Sequence, residues 1–237
     1  GAGEFTPTGV KMRRWLGVAL VALGASATGR AQTPEIDLPR PGMVVVTDVT
    51  GEATMTAGEQ KRMLKADERV RIGATVATAR RSMTTLSFSN GIAVQLGSDS
   101  EIEIEEFGQA PFSSTFKFPD LKAEPSLSRT RIKLVRGDVV VTVKKLQVVR
   151  GSSFVLGTPA GNLRMAEGGF RAMVRMHDLG LGVATLELQA GAAEFEVLGS
   201  TGYAPVPSGR KVAFALEVDK SGVVKVGEMP KEKPKGK

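Results

Sequence analysis

The acidic residues with the most suggestive spacing form a short alternating row. Glu101, Glu103 and Glu105 are separated by single isoleucines. On a β-strand their carboxylates would share one face, with neighbours about 7 Å apart. Two such carboxylates could serve acid–base chemistry, and three could attract a calcium ion. A calcium loop also needs a sharp turn with Gly and backbone carbonyls, which this row lacks. The pattern therefore favours a solvated strand face.

The other candidates for catalysis are isolated. His177 is the one histidine of the chain, and with Asp178 beside it the pair could act as a base and its orienting carboxylate for a serine nucleophile. Its position at the end of a predicted hairpin favours an exposed turn residue instead. Lone carboxylates such as Asp99 or Glu106 would have to supply the acid and the base of a hydrolase. The sequence contains neither a Walker-type phosphate loop nor a Gly-x-Ser-x-Gly nucleophile elbow.

Composition excludes several further classes of site. Cysteine is absent, which excludes disulfides, thiolate metal sites and a cysteine nucleophile. With 41% apolar and 24% charged residues, the 237-residue chain can build a folded core. The net charge of +7 arises largely at the two ends of the chain, and the few aromatic residues are not interleaved with basic ones, so nucleic acid is not indicated. We therefore expect a non-enzymatic protein with no catalytic residue, no cofactor and no metal.

Residues 12–31 are typical of a secretory signal peptide. Two arginines precede a short apolar run, Trp15 to Ala27, and Ala31 offers a cleavage point before Gln32. The run is shorter than the roughly 20 apolar residues that span a bilayer, and a buried core helix is the alternative. We expect an exported protein, periplasmic or secreted, whose mature chain has no membrane span.

After this leader the sequence is typical of an all-β domain. Short runs of β-branched residues alternate with Gly, Asn and Asp, and no stretch keeps the 3.6-residue period of a helix. We predict two packed, mainly antiparallel sheets preceded by a signal-peptide helix, and the sequence leaves open a β-sandwich or a short solenoid-like β roll. The expected organisation is a cloning remnant or misassigned start at 1–11, the signal peptide at 12–31, a linker at 32–42, the β domain at 43–226 and a disordered Lys/Pro-rich tail at 227–237.

Residues 108–131 differ from the rest of this domain. Three prolines make regular strands unfavourable there, and aromatic side chains recur. We expect a long insertion loop held by its phenylalanines. Phe112, Phe116 and Phe118 are the candidate partner-binding residues, because exposed aromatic side chains mark interaction surfaces; packing onto the domain is the alternative.

Several turns are predicted from Gly, Asn and Pro. Asn90-Gly91 is a strong signal for a two-residue hairpin turn, since both residues accept a positive φ. Thr158-Pro159 favours an extended entry into a turn, and Gly161 can adopt a positive φ. Gly137 and Gly191 are expected where strands reverse direction. All of these roles are structural rather than ligand-binding.

The order of these turns resembles the FecR domain of exported bacterial proteins over roughly residues 43–215. The resemblance is carried by an ordered series of motifs: Gly51-Glu52, Ser89-Asn90-Gly91, the alternating Ile/Glu strand, Ile132 to Gly137, Phe154 to Gly161 with its Thr-Pro-x-Gly turn, Leu188 to Gly191, and Gly209. One departure is at Glu167 to Phe170, where the family commonly has Gly-Thr-x-Phe. That difference predicts a looser turn at this point.

The resemblance implies a periplasmic sensing module. In the best-known members the domain belongs to an inner-membrane regulator that responds to an outer-membrane iron transporter and controls a sigma factor through a cytoplasmic segment. Because only a short stretch precedes the apolar run, we expect no such segment, and the sequence resembles the free-standing exported forms.

The favoured hypothesis is a non-enzymatic exported domain that binds a cell-envelope partner, either a protein or a glycan, in signal sensing or envelope assembly. The alternatives are a structural or adhesive envelope protein and, third, a hydrolase acting on glycans or peptides. A cleft with two carboxylates about 5–10 Å apart would favour the hydrolase. An exposed edge strand, or an apolar patch at Phe112–Phe118, would favour partner binding.

Overall fold

The computed structural model describes residues 40–113 and 118–228, apart from the side chains of Pro119, Asp178 and Glu228. Within those ranges no helix is both long enough and apolar enough to cross a membrane.

Some predictions fall on the rest of the chain. Phe116 lies outside the described residues, as do the expected signal peptide with its cleavage point at Ala31 and Gln32, residues 1–11, the linker up to residue 39, and the tail from residue 229 onward.

The described residues form an all-β domain, as predicted. Three short 3-10 helices lie at Phe118–Asp120, Val148–Arg150 and Asp178–Gly180. The fifteen strands are β1 (Val44–Thr50), β2 (Ala53–Ala57), β3 (Gln60–Met63), β4 (Arg69–Val70), β5 (Thr75–Thr78), β6 (Met83–Phe88), β7 (Ala93–Leu96), β8 (Glu101–Gln109), β9 (Ser128–Val143), β10 (Ser153–Thr158), β11 (Gly161–Met176), β12 (Leu181–Val197), β13 (Ala204–Pro205), β14 (Lys211–Val218) and β15 (Val224–Glu228).

The strands form where apolar and polar residues alternate. In β8, Ile102 and Ile104 are fully buried while the glutamates between them face outward. In β6, Leu86 and Phe88 are likewise buried, although Ser87 between them is buried too. Since successive side chains of a strand point to opposite faces, this period of two places one face of each strand on the core.

The strands belong to one continuous mixed sheet with two arms. In the first arm, β2, β5 and β8 lead to the first half of β9, which also pairs in parallel with β10. In the second arm, β4, β1, β6 and β7 lead to the second half of β9, which also pairs with β11. The β11–β12 pair runs through both arms, and β14 and β15 extend the second arm.

This connectivity differs from the expected two separate sheets. The long strands β9, β11 and β12 pass from one arm into the other without a break, so hydrogen bonding is continuous across the molecule. The segment from Glu167 to Phe170, where the sequence predicts a loose turn, lies inside β11, and the register shifts both before and after Gly168-Gly169. Such shifts are β-bulges, which bend a strand and increase its twist instead of reversing it.

Gly137 and Gly191 are also not at strand reversals. Gly137 lies within β9 and Gly191 within β12, with φ of +93° and +78°. Gly191 is opposite Gly168 of β11, and a Cβ on Gly191 would lie 2.1 Å from the carbonyl oxygen of Glu167. A Cβ on Gly137 would lie 2.3 Å from Ser100. These glycines therefore allow a left-handed backbone and a close strand-to-strand approach inside continuous strands.

One apolar core contains residues from both arms. Phe154 of β10 and Phe170 of β11 are 6.1 Å apart between ring centroids, and Phe88 makes an edge-on contact with Phe107 at 5.2 Å. Burying a side chain of this size contributes about 1.5–3 kcal/mol. Because both arms contribute to the same core, the cluster holds the bent sheet together.

Candidate functional site

The acidic row of β8 faces a basic row on β9. Each glutamate lies within ion-pair distance of one cation of the neighbouring strand, on the exposed face of the first arm. The pairs are Glu101–Arg136 at 3.0 Å, Glu103–Lys133 at 3.9 Å, Glu105–Arg131 at 2.9 Å and Glu106–Arg129 at 3.8 Å. Carboxylates matched with cations in this way form a cross-strand charge ladder, and the arrangement does not hold two acids together for proton transfer.

The isolated candidates for catalysis stay apart as well. His177 is exposed at the β11–β12 turn. Asp99 has a left-handed φ of +53° in the β7–β8 turn, where it accepts a hydrogen bond from the Ser98 hydroxyl at 3.0 Å. Across residues 40–113 and 118–228, no three histidine, aspartate or glutamate side chains converge as metal ligands would.

The structure brings two of the candidate phenylalanines to a surface cleft of about 390 Å³. The cleft lies where the chain enters β1, beside the β6–β7 turn and the end of β8. Its lining consists of Arg40, Pro41, Gly42, Met43, Ser89, Gln109, Ala110, Pro111, Phe112 and Phe118. Of these lining residues only Arg40 carries a charge, so the cleft offers mostly apolar contact with one cation at its side.

One wall of the cleft is formed by the chain from Arg40 to Met43. The Gln109 N–H donates to the Arg40 carbonyl oxygen at 3.0 Å, and the Gly42 N–H donates to the Phe107 carbonyl oxygen at 2.8 Å. A Cβ on Gly42 would lie 2.2 Å from the Phe107 ring. Glycine is therefore required for this segment to lie flat along the end of β8.

The floor of the cleft is polar and internally bonded. Ser89 and Gln109 are 2% and 3% exposed, and the Ser89 hydroxyl donates to Oε1 of Gln109 at 2.5 Å. The Met43 N–H donates to the same hydroxyl at 3.0 Å. In the described part of the chain, every buried side-chain polar atom has a hydrogen-bond partner. A floor whose polar groups already bond one another is rigid and offers shape more than unmet hydrogen bonds.

Asn90 follows Ser89 in the chain, and its φ is not positive. Its side chain is fully buried, and its amide donates to the hydroxyls of Ser128 and Thr130 at 3.0 Å each. Its Oδ1 accepts the Ile92 N–H at 3.2 Å. The hairpin loop is a three-residue loop in which only Gly91, at φ +90°, is left-handed, instead of the predicted two-residue turn. The buried amide explains why asparagine occupies this position.

The Thr158–Gly161 turn closes the β10–β11 hairpin. The Thr158 hydroxyl accepts the Ala160 N–H at 3.2 Å and donates to the Gly161 carbonyl oxygen at 3.1 Å. Pro159 occupies the turn between the two strands. None of these residues lines the cleft, and their role is to close the hairpin between β10 and β11.

The irregular connection around the cleft is shorter than the expected 108–131. β8 continues to Gln109 and β9 begins at Ser128, so the connection comprises 110–127. The sequence singles out Phe112 and Phe118, but Ser89, Gln109 and the Arg40–Met43 wall carry no signal of their own. They meet only because β1, β6 and β8 end side by side.

Comparison with known sequences identifies the family of this chain. The sequence model of the FecR family, described as FecR protein, matches residues 74–194, just over half of the chain. This chain belongs to the FecR family, and the resemblance seen in its sequence is confirmed. FecR proteins are regulatory and not enzymatic, which supports a role in signalling.

Two solved structures are similar to this chain. Both are crystal structures of a protein titled "putative anti-sigma factor" from Parabacteroides distasonis ATCC 8503, at 1.65 Å and 2.50 Å resolution. Each is 10% identical with a TM-score of 0.41, over 65% of this chain and 59% of the solved chain. This chain therefore spans about three fifths of those relatives' length. No curated protein matches it significantly.

Proposed function

We propose that this protein is an exported FecR-domain protein that binds a cell-envelope partner at the cleft rimmed by Phe112 and Phe118. The binding would serve signal sensing or envelope assembly, in the periplasm or outside the cell. Export rests on residues 12–31, which have the charge, the length and the cleavage point of a signal peptide.

The observation that carries this proposal is the cleft itself. Two half-buried aromatic side chains lie in its mostly apolar lining, and its floor is fixed by the Ser89–Gln109 hydrogen bonds. A concave, largely apolar site on a rigid floor is typical of a binding site. Membership of a regulatory family supports a partner that carries a signal over a substrate that is turned over.

The residues that line the cleft do not favour the hydrolase alternative. Glycoside hydrolysis needs two carboxylates about 5–10 Å apart, whereas the described lining residues of the cleft include neither an aspartate nor a glutamate. The structural or adhesive alternative differs from sensing in its partner, because it would bind glycan without a receptor protein.

The experiment is recovery of the partner from cells. The tagged full chain is expressed with its leader, the cells are fractionated, and chemical crosslinking precedes purification. We expect the chain in the exported fraction, beginning at Gln32, with a crosslinked envelope protein. The double variant Phe112→Ala/Phe118→Ala should lose that adduct.

Leu179→Ala is the matched control, because Leu179 is an exposed apolar residue at the β11–β12 turn, outside the cleft lining. It should keep the adduct. Recovery of glycan alone would favour the adhesive alternative. An unchanged adduct in a folded double variant would overturn the cleft as the binding site, and retention in the cytoplasm would overturn export.

A further inference from the structure

The outer edge of β3 is open in the described structure. Gln60–Met63 pairs with β2 on one side, and all four residues are exposed. Unpaired strand edges present a row of backbone donors and acceptors to which another strand can add.

The register identifies which backbone groups face outward. The Leu64 N–H donates to the Ala53 carbonyl oxygen at 2.8 Å, and Arg62 is paired with Met55 two residues along each strand. In an antiparallel pair, alternate residues direct their N–H and C=O groups to the partner strand. The backbone groups of Lys61 and Met63 therefore point away from β2.

Cationic side chains cluster around this edge. Lys61, Arg62, Lys65, Arg69 and Arg71 are all exposed, and together with Glu59, Asp67 and Glu68 they give residues 59–71 a net charge of +2. The Arg62 guanidinium contacts Glu68 and also lies 3.4 Å from the carbonyl oxygens of both Met63 and Arg69. It is thereby held beside the open edge, between β3 and β4.

Glu68 does not neutralise the whole cluster. The hydrogen bond from the Arg62 side chain lowers the pKa of Glu68 below its usual value, desolvation offsets part of this, and the Lys65 N–H lowers the pKa further, so this carboxylate stays charged beside Arg62. Lys61 lies at the edge itself, on the face opposite Arg62, because neighbouring residues of a strand alternate between faces.

We propose that β3 binds an acidic, extended polypeptide segment by strand addition. The outward N–H groups of Lys61 and Met63 and the Lys61 carbonyl oxygen select a polypeptide, because they can pair with another main chain, whereas the Met63 carbonyl oxygen already contacts the Arg62 guanidinium at 3.4 Å. The cations on both faces select acidic side chains opposite them. They also disfavour a second copy of this same basic edge. The edge precedes the FecR-matched range of 74–194, and it is separate from the cleft lining.

The test uses the full chain and a capped seven-residue peptide that alternates valine with glutamate. Fluorescence anisotropy should show saturable binding, about five- to tenfold weaker in Lys61→Glu and weaker as salt screens the charges. The matched control is Lys225→Glu on another edge strand, β15, which should leave binding unchanged.

Two further measurements separate strand addition from charge attraction. Met63→Pro removes an outward N–H without breaking the β2 ladder, so the folded variant should lose binding. A peptide with glutamine in place of glutamate, and one N-methylated on its pairing edge, should both fail to bind. Equal binding of the N-methylated peptide, or no saturable binding at all, would overturn the proposal. The cations would then serve to prevent this edge from aggregating with other strands. Phe112→Ala should not affect this assay, so its outcome is independent of the cleft.

Discussion

Asn90 illustrates at the residue scale how one buried amide links a turn to the strand behind it. Two of its hydrogen bonds connect the β6–β7 hairpin to Ser128 and Thr130 of β9, and a third holds the Ile92 N–H within the hairpin. Asn90→Ala would leave the Ile92 N–H without its acceptor in a dry environment. We expect the free energy of unfolding to fall by about 2–4 kcal/mol, measured by urea denaturation.

The matched control is Asn162→Ala. Asn162 is only partly buried and accepts one hydrogen bond from Arg131 at 3.2 Å. This change should cost less than about 1 kcal/mol. Equal losses in the two variants would contradict the role given to the buried amide.

Tyr203, the one tyrosine of the chain, provides a spectroscopic test at the same scale. Burial raises its pKa above the usual 10.0, and Glu196 adds to the increase, while Arg164, 4.0 Å above the ring, partly offsets it. A pKa that is higher in the folded state stabilises the fold below pH 10, and that contribution is lost as the pH rises through the folded pKa.

Absorbance at 295 nm should therefore titrate above pH 10 in the folded protein and near pH 10 in denaturant. A midpoint that is the same in both states would contradict the burial of the Tyr203 ring in the folded protein.

At the scale of elements, the bends of the long strands depend on glycine. Gly191 and Gly73 have nearly the same φ, +78° and +79°, but a Cβ would meet the Glu167 carbonyl oxygen at Gly191 and nothing within 4 Å at Gly73. Gly73→Ala should cost about 1–2 kcal/mol for the left-handed backbone alone. Gly191→Ala should cost several kcal/mol, because it also forces β11 and β12 apart.

Thermal and urea unfolding of these two variants measure the difference. If both lose the same stability, close strand contact at Gly191 is not important and the bulge can adapt. A larger loss at Gly191 alone would support the account of the continuous strands.

The strands themselves could be predicted, whereas their lengths could not. The Ile/Glu alternation predicts the strand β8, whereas β9, β11 and β12 continue through Gly137, Glu167–Phe170 and Gly191, where the sequence predicts turns. The prediction of strand reversals at Gly137 and Gly191 is wrong because a glycine at positive φ occurs equally in a turn and in a bulge. Only the pairing register distinguishes the two, and register depends on partners distant in sequence.

The residues that line the cleft could likewise be predicted only in part from the sequence. Pro and Phe content points to Phe112 and Phe118, since aromatic side chains between prolines are unusual in a strand-rich chain. Ser89 and Gln109 could not be predicted, because each is an ordinary polar residue until strands from three parts of the sequence end together.

At the scale of the whole molecule, the described domain has one core, one bent sheet and two surfaces that are suited to different partners. The cleft is largely apolar with Arg40 at its side, whereas the β3 edge is basic and open along its backbone. The charge ladder between β8 and β9 covers a further face with matched charges. A protein that recognises partners needs such surfaces, and a family of regulators supplies the context.

The most direct test of partner binding at the cleft is site-specific photocrosslinking in living cells. A photoreactive residue is placed at Phe112, Phe118 or, as a control, Val223, which is exposed at the β14–β15 turn. We predict that positions 112 and 118 give the same envelope-protein adduct and that position 223 does not. An identical adduct pattern from all three positions, or none from the cleft, would contradict the account.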